Sequence, residues 1–499
     1  MIEKFKNNRD FSWLLIFLGV LFAASQPLQL NANGFTGGVV RLSGVNFEIS
    51  IEGPSIRGKD GEDIVPVAFS NGAMGWMTSS VVVGAHSSHF SLMNANILSV
   101  RSLPFSDAYL VRTKSPEMAL RIASELLKEH TVRYAHPDFI FPIEARSIEV
   151  SDPYFSAQWN LKNTGQNGAT PGVDLGIESV WEVTRGTPGT IVGVLDLGFE
   201  QNHKDMTGAW FTNEREIPAN KKDDDGNGLI DDVRGWNFSI NGNNLIYGAA
   251  PNHGTATAGI IGARSNDLGI TGICPECKIL PVVVSGRVSE DASAIGYAMA
   301  MGASVLSNSW GYALESPRTD VVVEALSKAA LKGRGGKGLP ILFAMRNAAT
   351  DDCRQTSPDI SAHPNVIAVS SIDFHDKKVV NSGFGKCLQF LGPSSGANVN
   401  GVPSTDRPGS LGYNTNGEGN FEDLDFHSAF WGTSAATPQV AGLFALLLSH
   451  EPDLSLEQAL SRMRASAIKA NAGEASYDPV TGHSTKYGYG RASGLKLFK

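Results

Sequence analysis

The chain has 499 residues, 42% hydrophobic and 18% charged, with a formal net charge of −9. An acidic balance argues against general nucleic-acid binding, which carries a basic excess. The 54 Gly and 24 Pro are too few for a low-complexity chain, and no apolar run reaches the ~18 residues of a spanning helix, which excludes a multi-span membrane protein.

Lys4, Lys6 and Arg9 precede a short apolar run from Trp13 to Ala24, closed by the small residues Ala23, Ala24 and Ser25. A basic start, a short apolar middle and a small-residue end predict an export signal over 1–25, an uncleaved anchor being the competing reading. The protein is accordingly expected to be secreted, to the medium or a periplasm. The four cysteines, Cys274, Cys277, Cys353 and Cys387, suit an oxidising compartment and permit three pairings. Cys274 and Cys277 form a CxxC that could be half a zinc site or a redox pair, but zinc wants a second close pair, which Cys353 and Cys387 do not make. Two disulfides, Cys274–Cys277 and Cys353–Cys387, are expected, with free buried thiols as the alternative.

Residues 26 to about 100 carry few signals beyond short β-like stretches at Val39–Leu42 and Ser80–Val83. Ala108–Arg112 then reads as a strand. Ser115-Pro116-Glu117 is a helix start, with a Ser cap, a first-turn Pro and an acid at the positive end of the dipole. Met118–His130 continues as an amphipathic helix and Thr131–Pro142 as a second strand. This strand–helix–strand unit, 106–143, reads as a small, separate α+β element, and Glu144–Val150 as a polar linker.

From Asp152 apolar strands alternate with helices. The strands are Thr190–Leu195, Lys278–Val284, Ala303–Ser307, Pro340–Ala344 and Val366–Ser370. The helices are Gly254–Ala263, Asp291–Met301, Val321–Lys332, Ser434–Ser449 and Leu456–Ala467. Near-continuous apolar strands alternating with helices predict an α/β fold, a doubly wound parallel sheet buried on both faces. In such sheets the active site lies beyond the carboxyl ends of the strands.

Three segments carry chemistry. Val192–Gly198 is an apolar strand ending in Asp196. Asn252–Gly259 places His253 at the start of a helix of small residues. Gly432–Pro438 places Ser434 at the start of a long apolar helix, where the dipole favours negative charge. Alone, each is better explained as a turn former, a structural histidine or a helix cap. Together they supply the parts of nucleophilic catalysis: an alcohol that needs a base, an imidazole to be that base, and a carboxylate to hold its tautomer. They occur in the order Asp–His–Ser, the order of the subtilisin triad.

On these motifs, on Gln158-Trp159-Asn160-Leu161 and on Tyr487-Gly488-Tyr489-Gly490-Arg491, the chain resembles the subtilisin-like serine proteases over roughly Asp152–Lys499. Other serine hydrolase signatures, a GxSxG elbow or GDSGG, are missing. The resemblance implies a secreted endopeptidase with Asp196 as orienting acid, His253 as general base and Ser434 as nucleophile. It implies Asn347 as the second oxyanion donor, in Phe343-Ala344-Met345-Arg346-Asn347-Ala348. Arg346 stands where the family has Gly, and Leu197 where it has a small polar residue. The peptide groove is expected along Ser307, Ser309, Trp310 and Gly311, with substrate added as an extra strand.

The run Gly333–Gly338 and the spacing of Cys353 and Cys387 resemble the kexin and furin branch, which cuts after basic residues. Asp351, Asp352 and Asp359 are the acids available to such a pocket. The acidic pair that should follow the Ser-Trp-Gly segment is absent. The family also implies a zymogen, with residues 26 to about 150 as propeptide. Its 106–143 unit would serve as intramolecular inhibitor and chaperone, with cleavage within Glu144–Asp152, Arg146 being one candidate.

Calcium is the expected cofactor. Asp223, Asp224, Asp225, Asn227, Gly228, Asp231 and Asp232 crowd one loop, with Asp223, Asp225, Asn227 and Asp231 as the candidate ligands, and Asp223-x-Asp225-x-Asn227-Gly228 matches the first half of an EF-hand. Arg234 at position 12 breaks the pattern, and a solvated acidic loop is the plain alternative. Asp205, in Asn202-His203-Lys204-Asp205, resembles another family calcium ligand. Protein or peptide substrates and the chain's own propeptide are the expected partners. No nucleic acid is expected, and no oligomerisation element stands out, which predicts a monomer. The rival readings are a binding or surface protein on a degraded protease fold, or a structural surface protein.

Overall fold

The computed structural model of the chain describes residues 37–498 except 43–44, 59–60, 86–95, 105–106, 142–149, 248–249, 314–315, 317, 355–358, 397–399 and 419. The expected export signal over 1–25 and the expected cleavage site at Arg146 lie outside the described residues. The chain divides into two units that meet between residues 146 and 147.

Among the described residues the first unit is an eight-stranded antiparallel sheet with one helix. Its strands are β1 (Gly37–Leu42), β2 (Val45–Ile51), β3 (Ile56–Arg57), β4 (Asp63–Phe69), β5 (Met74–Ala85), β6 (Ile97–Ser102), β7 (Ala108–Thr113) and β8 (Val132–Ile140). Helix α1 (Pro116–Leu126) starts as the sequence suggests, with Ser115 accepting from the Met118 N–H and Pro116 in the first turn. It buries Ala119, Ile122, Ala123 and Leu126 against Val81, Val83 and Val111.

The expected strand–helix–strand unit 106–143 is part of this larger sheet. β7 and β8 do not pair with each other; β5 lies between them and bonds to both. The strand that completes 106–143 therefore comes from the stretch whose pattern was weakest. Gly84 on β5 faces the Tyr134 ring, which a Cβ would meet at 2.2 Å.

The second unit is built on a parallel sheet with strand order β10-β11-β9-β12-β13-β14-β15. The strands are β9 (Ile191–Asp196), β10 (Trp236–Asn237), β11 (Lys278–Val283), β12 (Val305–Asn308), β13 (Ile341–Ala344), β14 (Ile367–Ile372) and β15 (Leu388–Pro393), and β16 (Val402–Thr405) pairs with β17 (Phe426–Phe430) apart from it. The α-helices among the described residues are α2 (Ile177–Trp181), α3 (Pro251–Gly262), α4 (Val288–Ala300), α5 (Asp320–Lys332), α6 (Thr433–His450), α7 (Leu456–Ser466) and α8 (Ala472–Ala475).

Side-chain alternation divides the core in two. Val192 and Val194 of β9, Val283 of β11 and Leu342 of β13 join α3 and α6 in one cluster. Leu195, Leu280, Val282, Ile341 and Phe343 join α4 and α5 in the other. Both faces of the sheet are thus covered, which is why its strands read as continuous apolar runs. α6 is apolar all round and buried from Thr433 to Leu448, as a helix through the middle of a domain must be. Cys274 is bonded to Cys277 and Cys353 to Cys387, with Cα separations of 5.4 and 5.6 Å, inside the range a disulfide needs. No helix among the described residues is long and apolar enough to cross a membrane.

Candidate active site

Asp196 ends β9 at the carboxyl edge of the sheet and is fully buried. Three donors hold its carboxylate. Leu197 N–H reaches Oδ1 at 2.7 Å, His253 Nδ1–H reaches the same oxygen at 2.7 Å, and Thr257 Oγ1–H reaches Oδ2 at 2.9 Å. His253 and Thr257 are one turn apart on α3, so one helix face serves both oxygens. Leu197 contributes through its backbone, and its side chain packs against the α4–α5 core. The small residue after His253 is required: a Cβ on Gly254 would lie 2.1 Å from the Gly198 carbonyl. Burial alone would depress the His253 pKa, but the charge and hydrogen bond of Asp196 outweigh it and hold the imidazole above its ordinary value.

Ser434 lies in the first turn of α6, which packs against α3. Its hydroxyl donates to the Ser309 carbonyl at 3.3 Å, and among the described residues it makes no hydrogen bond to His253. Its own carbonyl would bond to the N–H of residue 438, but that residue is Pro438 and has none. Ser309 Oγ–H supplies the missing donor at 3.1 Å.

Asn347 follows β13. Its Oδ1 accepts from Thr433 N–H at 2.9 Å and Thr433 Oγ1–H at 3.1 Å. Oδ1 is thus pinned to the first residue of α6, and Asn347 and Ser434 line the same cleft. Gly432 adopts φ 79°, and a Cβ there would press on Oδ1 at 2.7 Å. The cleft measures about 270 Å³, with Ser309, Trp310 and Gly311 on one wall and Ala344–Asn347 on the other. Of the expected groove residues, Ser309, Trp310 and Gly311 line this cleft, while Ser307 pairs within the sheet between β9 and β13 and is buried.

Arg346 does not displace Asn347. Its N–H bonds to Asp352 Oδ2 at 2.8 Å, its Nη1 to Asp352 Oδ1 at 3.2 Å, and its Nη2 pairs with Asp359 Oδ2 at 3.0 Å. Two of the three acids available to a basic-specific pocket are therefore taken by the chain's own arginine. The third, Asp351, caps the Cys353 N–H.

In the acidic loop Asp223 accepts from Gly226, Asn227 and Gly228 N–H, Asp231 from Asn220 and Lys221 N–H, and Asn227 Oδ1 from Leu229 N–H, so these groups also hold the loop's own backbone. Of the expected loop ligands only Asp225 belongs to a carboxylate cluster, with Glu216 and Asp232, whose oxygens lie within 4.8 Å of one another. Glu216 Oε2 is buried with no partner. Asp205 is fully buried, with one oxygen accepting from Ile270 N–H and the other without a partner. Burial, with the charge of Asp152 added, pushes its pKa up to about 8. The sequence pattern singled out none of Thr257, Asp152, Glu216 and Pro438; for Thr257 the spacing of four from His253 was the available signal.

The subtilase family matches residues 187–490. A calcium-dependent protease of Nostoc sp. is 31% identical over 395 residues, 75% of this chain and 55% of that protein. A thermophilic serine proteinase of a Bacillus species is 27% identical over 354 residues, 69% of this chain and 71% of that protein. The crystal structure of an Aeromonas sobria serine protease with a chaperone is similar in fold, with TM-score 0.57 at 20% identity, over 70% of this chain and 66% of that one. The chain spans about half the length of the first curated relatives it matches. With the family match covering more than half of its residues, the chain belongs to the subtilase family.

Proposed function

We propose that the chain is a serine endopeptidase acting through Asp196, His253 and Ser434. The observation that carries this reading is the Asp196–His253 hydrogen bond of 2.7 Å facing a helix whose first turn presents Ser434. The Ser434 hydroxyl leaves the Ser309 carbonyl and gives its proton to His253 Nε2 as Oγ attacks the scissile carbonyl. Asp196 stabilises the imidazolium, and the developing oxyanion takes the Ser434 N–H and the Asn347 amide. His253 then protonates the leaving amine, and water hydrolyses the acyl-enzyme by the same steps in reverse order. Trp310 and Gly311 bound the groove for the peptide. Arg346 leaves Asn347 anchored, which counts against a degraded site.

Calcium fits two places. A buried carboxylate oxygen without a partner, next to a second carboxylate, is the donor set of a hard cation. Asp205 with Asp152 would hold one ion and Glu216, Asp225 and Asp232 another; the bound ion would cross-link loops that otherwise repel. The calcium dependence in the name of the Nostoc relative supports this. The unit before residue 147 acts in this reading as the chain's own propeptide, inhibitor and chaperone, after export of a zymogen. The Aeromonas sobria protease crystallised with a chaperone is a parallel in kind.

The test is to express the full chain beside Ser434→Ala. Wild type is expected to lose its first unit and to be labelled by a serine-directed fluorophosphonate, and the variant to do neither. A folded wild type that is neither processed nor labelled overturns the reading.

A further inference from the structure

The cleft beside Ser434 is closed at one end by an ion triple that belongs to the chain itself. Arg346 and Asp359 both line it, and Asp352 lies behind them with no exposed surface. The guanidinium pairs with both carboxylates, at 3.2 Å to Asp352 and 3.0 Å to Asp359. Its Nε is buried with no partner, so the arginine is not held by a full set of acceptors as a purely structural guanidinium usually is. Asp359 is fixed independently, with its other oxygen capping Ser361 N–H at 2.9 Å. Asp352 is likewise fixed by Thr350 Oγ1–H at 2.8 Å. Both acids would therefore keep their places without the arginine. Removing it would leave two oriented, desolvated carboxylates at the end of a cleft that opens beside the nucleophile.

We infer that Arg346 is a specificity-determining residue that occupies, from within the chain, the place a substrate's basic side chain would take. The filled cleft is shortened and its acids are neutralised. A substrate arginine or lysine next to the cut bond would bring a second cation to a site already holding one, with no unpaired carboxylate among the described residues that line the cleft. The native preference is then for short or uncharged side chains, and the acidic pocket is latent. The inference rests on the serine-protease reading of Ser434.

The experiment compares the full chain with Arg346→Gly on matched peptide substrates that carry Arg or Ala before the cut bond, with fluorophosphonate labelling of Ser434 in both proteins. Wild type is expected to disfavour Arg. Arg346→Gly is expected to raise the Arg-to-Ala ratio of kcat/KM by about a hundredfold, the scale on which a buried charge pair discriminates. A wild type that already prefers Arg, or an unchanged ratio with Ser434 still labelled, overturns the inference.

Absence of labelling in wild type is the separate failure of the protease reading, and a second readout needs no catalysis. Millimolar ethylguanidinium is expected to raise the melting temperature of Arg346→Gly and not that of wild type; equal responses overturn the inference. Should Arg346→Gly not fold alone, its recovery on refolding with ethylguanidinium counts for the latent site, and failure to recover counts against it.

Discussion

Pro438 and Ser309 share one carbonyl. Pro438 withholds the N–H that the Ser434 carbonyl would otherwise accept, and Ser309 Oγ–H stands in for it at 3.1 Å. The proline in α6 is thus what ties the first turn of the helix to the segment that walls the cleft. In the uncut Ser434→Ala background, Ser309→Ala should cost about 1–3 kcal/mol, because a buried carbonyl is left without a donor. In a Pro438→Ala background the same change should be near neutral, since the new N–H bonds to that carbonyl. Urea unfolding of the four proteins measures the coupling, and additive effects would refute the shared role.

The pH profile should carry the mark of Asp196. His253 works as a base only when neutral, and its pKa is held above its ordinary value of about 6.5 by Asp196. Activity is therefore present above the raised pKa and lost as pH falls through it. In Asp196→Asn that acid limb should move to lower pH, while kcat falls by about 10⁴ through loss of tautomer control. A limb that stays put in the variant would mean that another group titrates.

Two substitutions separate the jobs of Asn347. Asn347→Ala removes both the amide donor and the acceptor that caps Thr433, so it should lower kcat by about 10²–10³ and also lower stability. Asn347→Asp keeps the cap through its carboxylate oxygen and loses the donor. It should keep the melting temperature while losing at least as much activity. Equal destabilisation in both would show that the cap hydrogen bonds at Thr433 do not matter.

What could be read from the sequence follows the range of the forces involved. The parallel sheet was legible because burial on both faces leaves no polar interruption in β9, β11 and β13. Asp196, His253 and Ser434 were legible because each sits where a strand or helix meets a loop among small residues. β5 was legible only at Ser80–Val83: Thr78 and Ser79 are buried in its middle, and their polarity masks the rest of a central strand. Thr113 Oγ1–H satisfies the Ser79 carbonyl at 2.7 Å, a partner 34 residues away. The acid-rich loop suggested alternating ligands, and its own N–H groups also bond to Asp223 and Asp231, a short-range role that a run of acids does not announce.

The two proposed calcium sites can be told apart by the oxygens each leaves orphaned. Asp205 contributes one and Glu216 the other, on different parts of the second unit. Each unpaired buried carboxylate oxygen costs stability until a cation or a proton meets it. Calcium at a hundred times its Kd would add about 2.7 kcal/mol per site. Excess chelator should therefore lower the melting temperature of Ser434→Ala, a background in which self-cleavage does not confuse the scan. Asp205→Asn should lose part of that calcium response and Glu216→Gln the rest, with the two losses additive because the sites share no ligand. A melting temperature that ignores the chelator would remove calcium from both places, and a response that survives both substitutions would put the ion elsewhere.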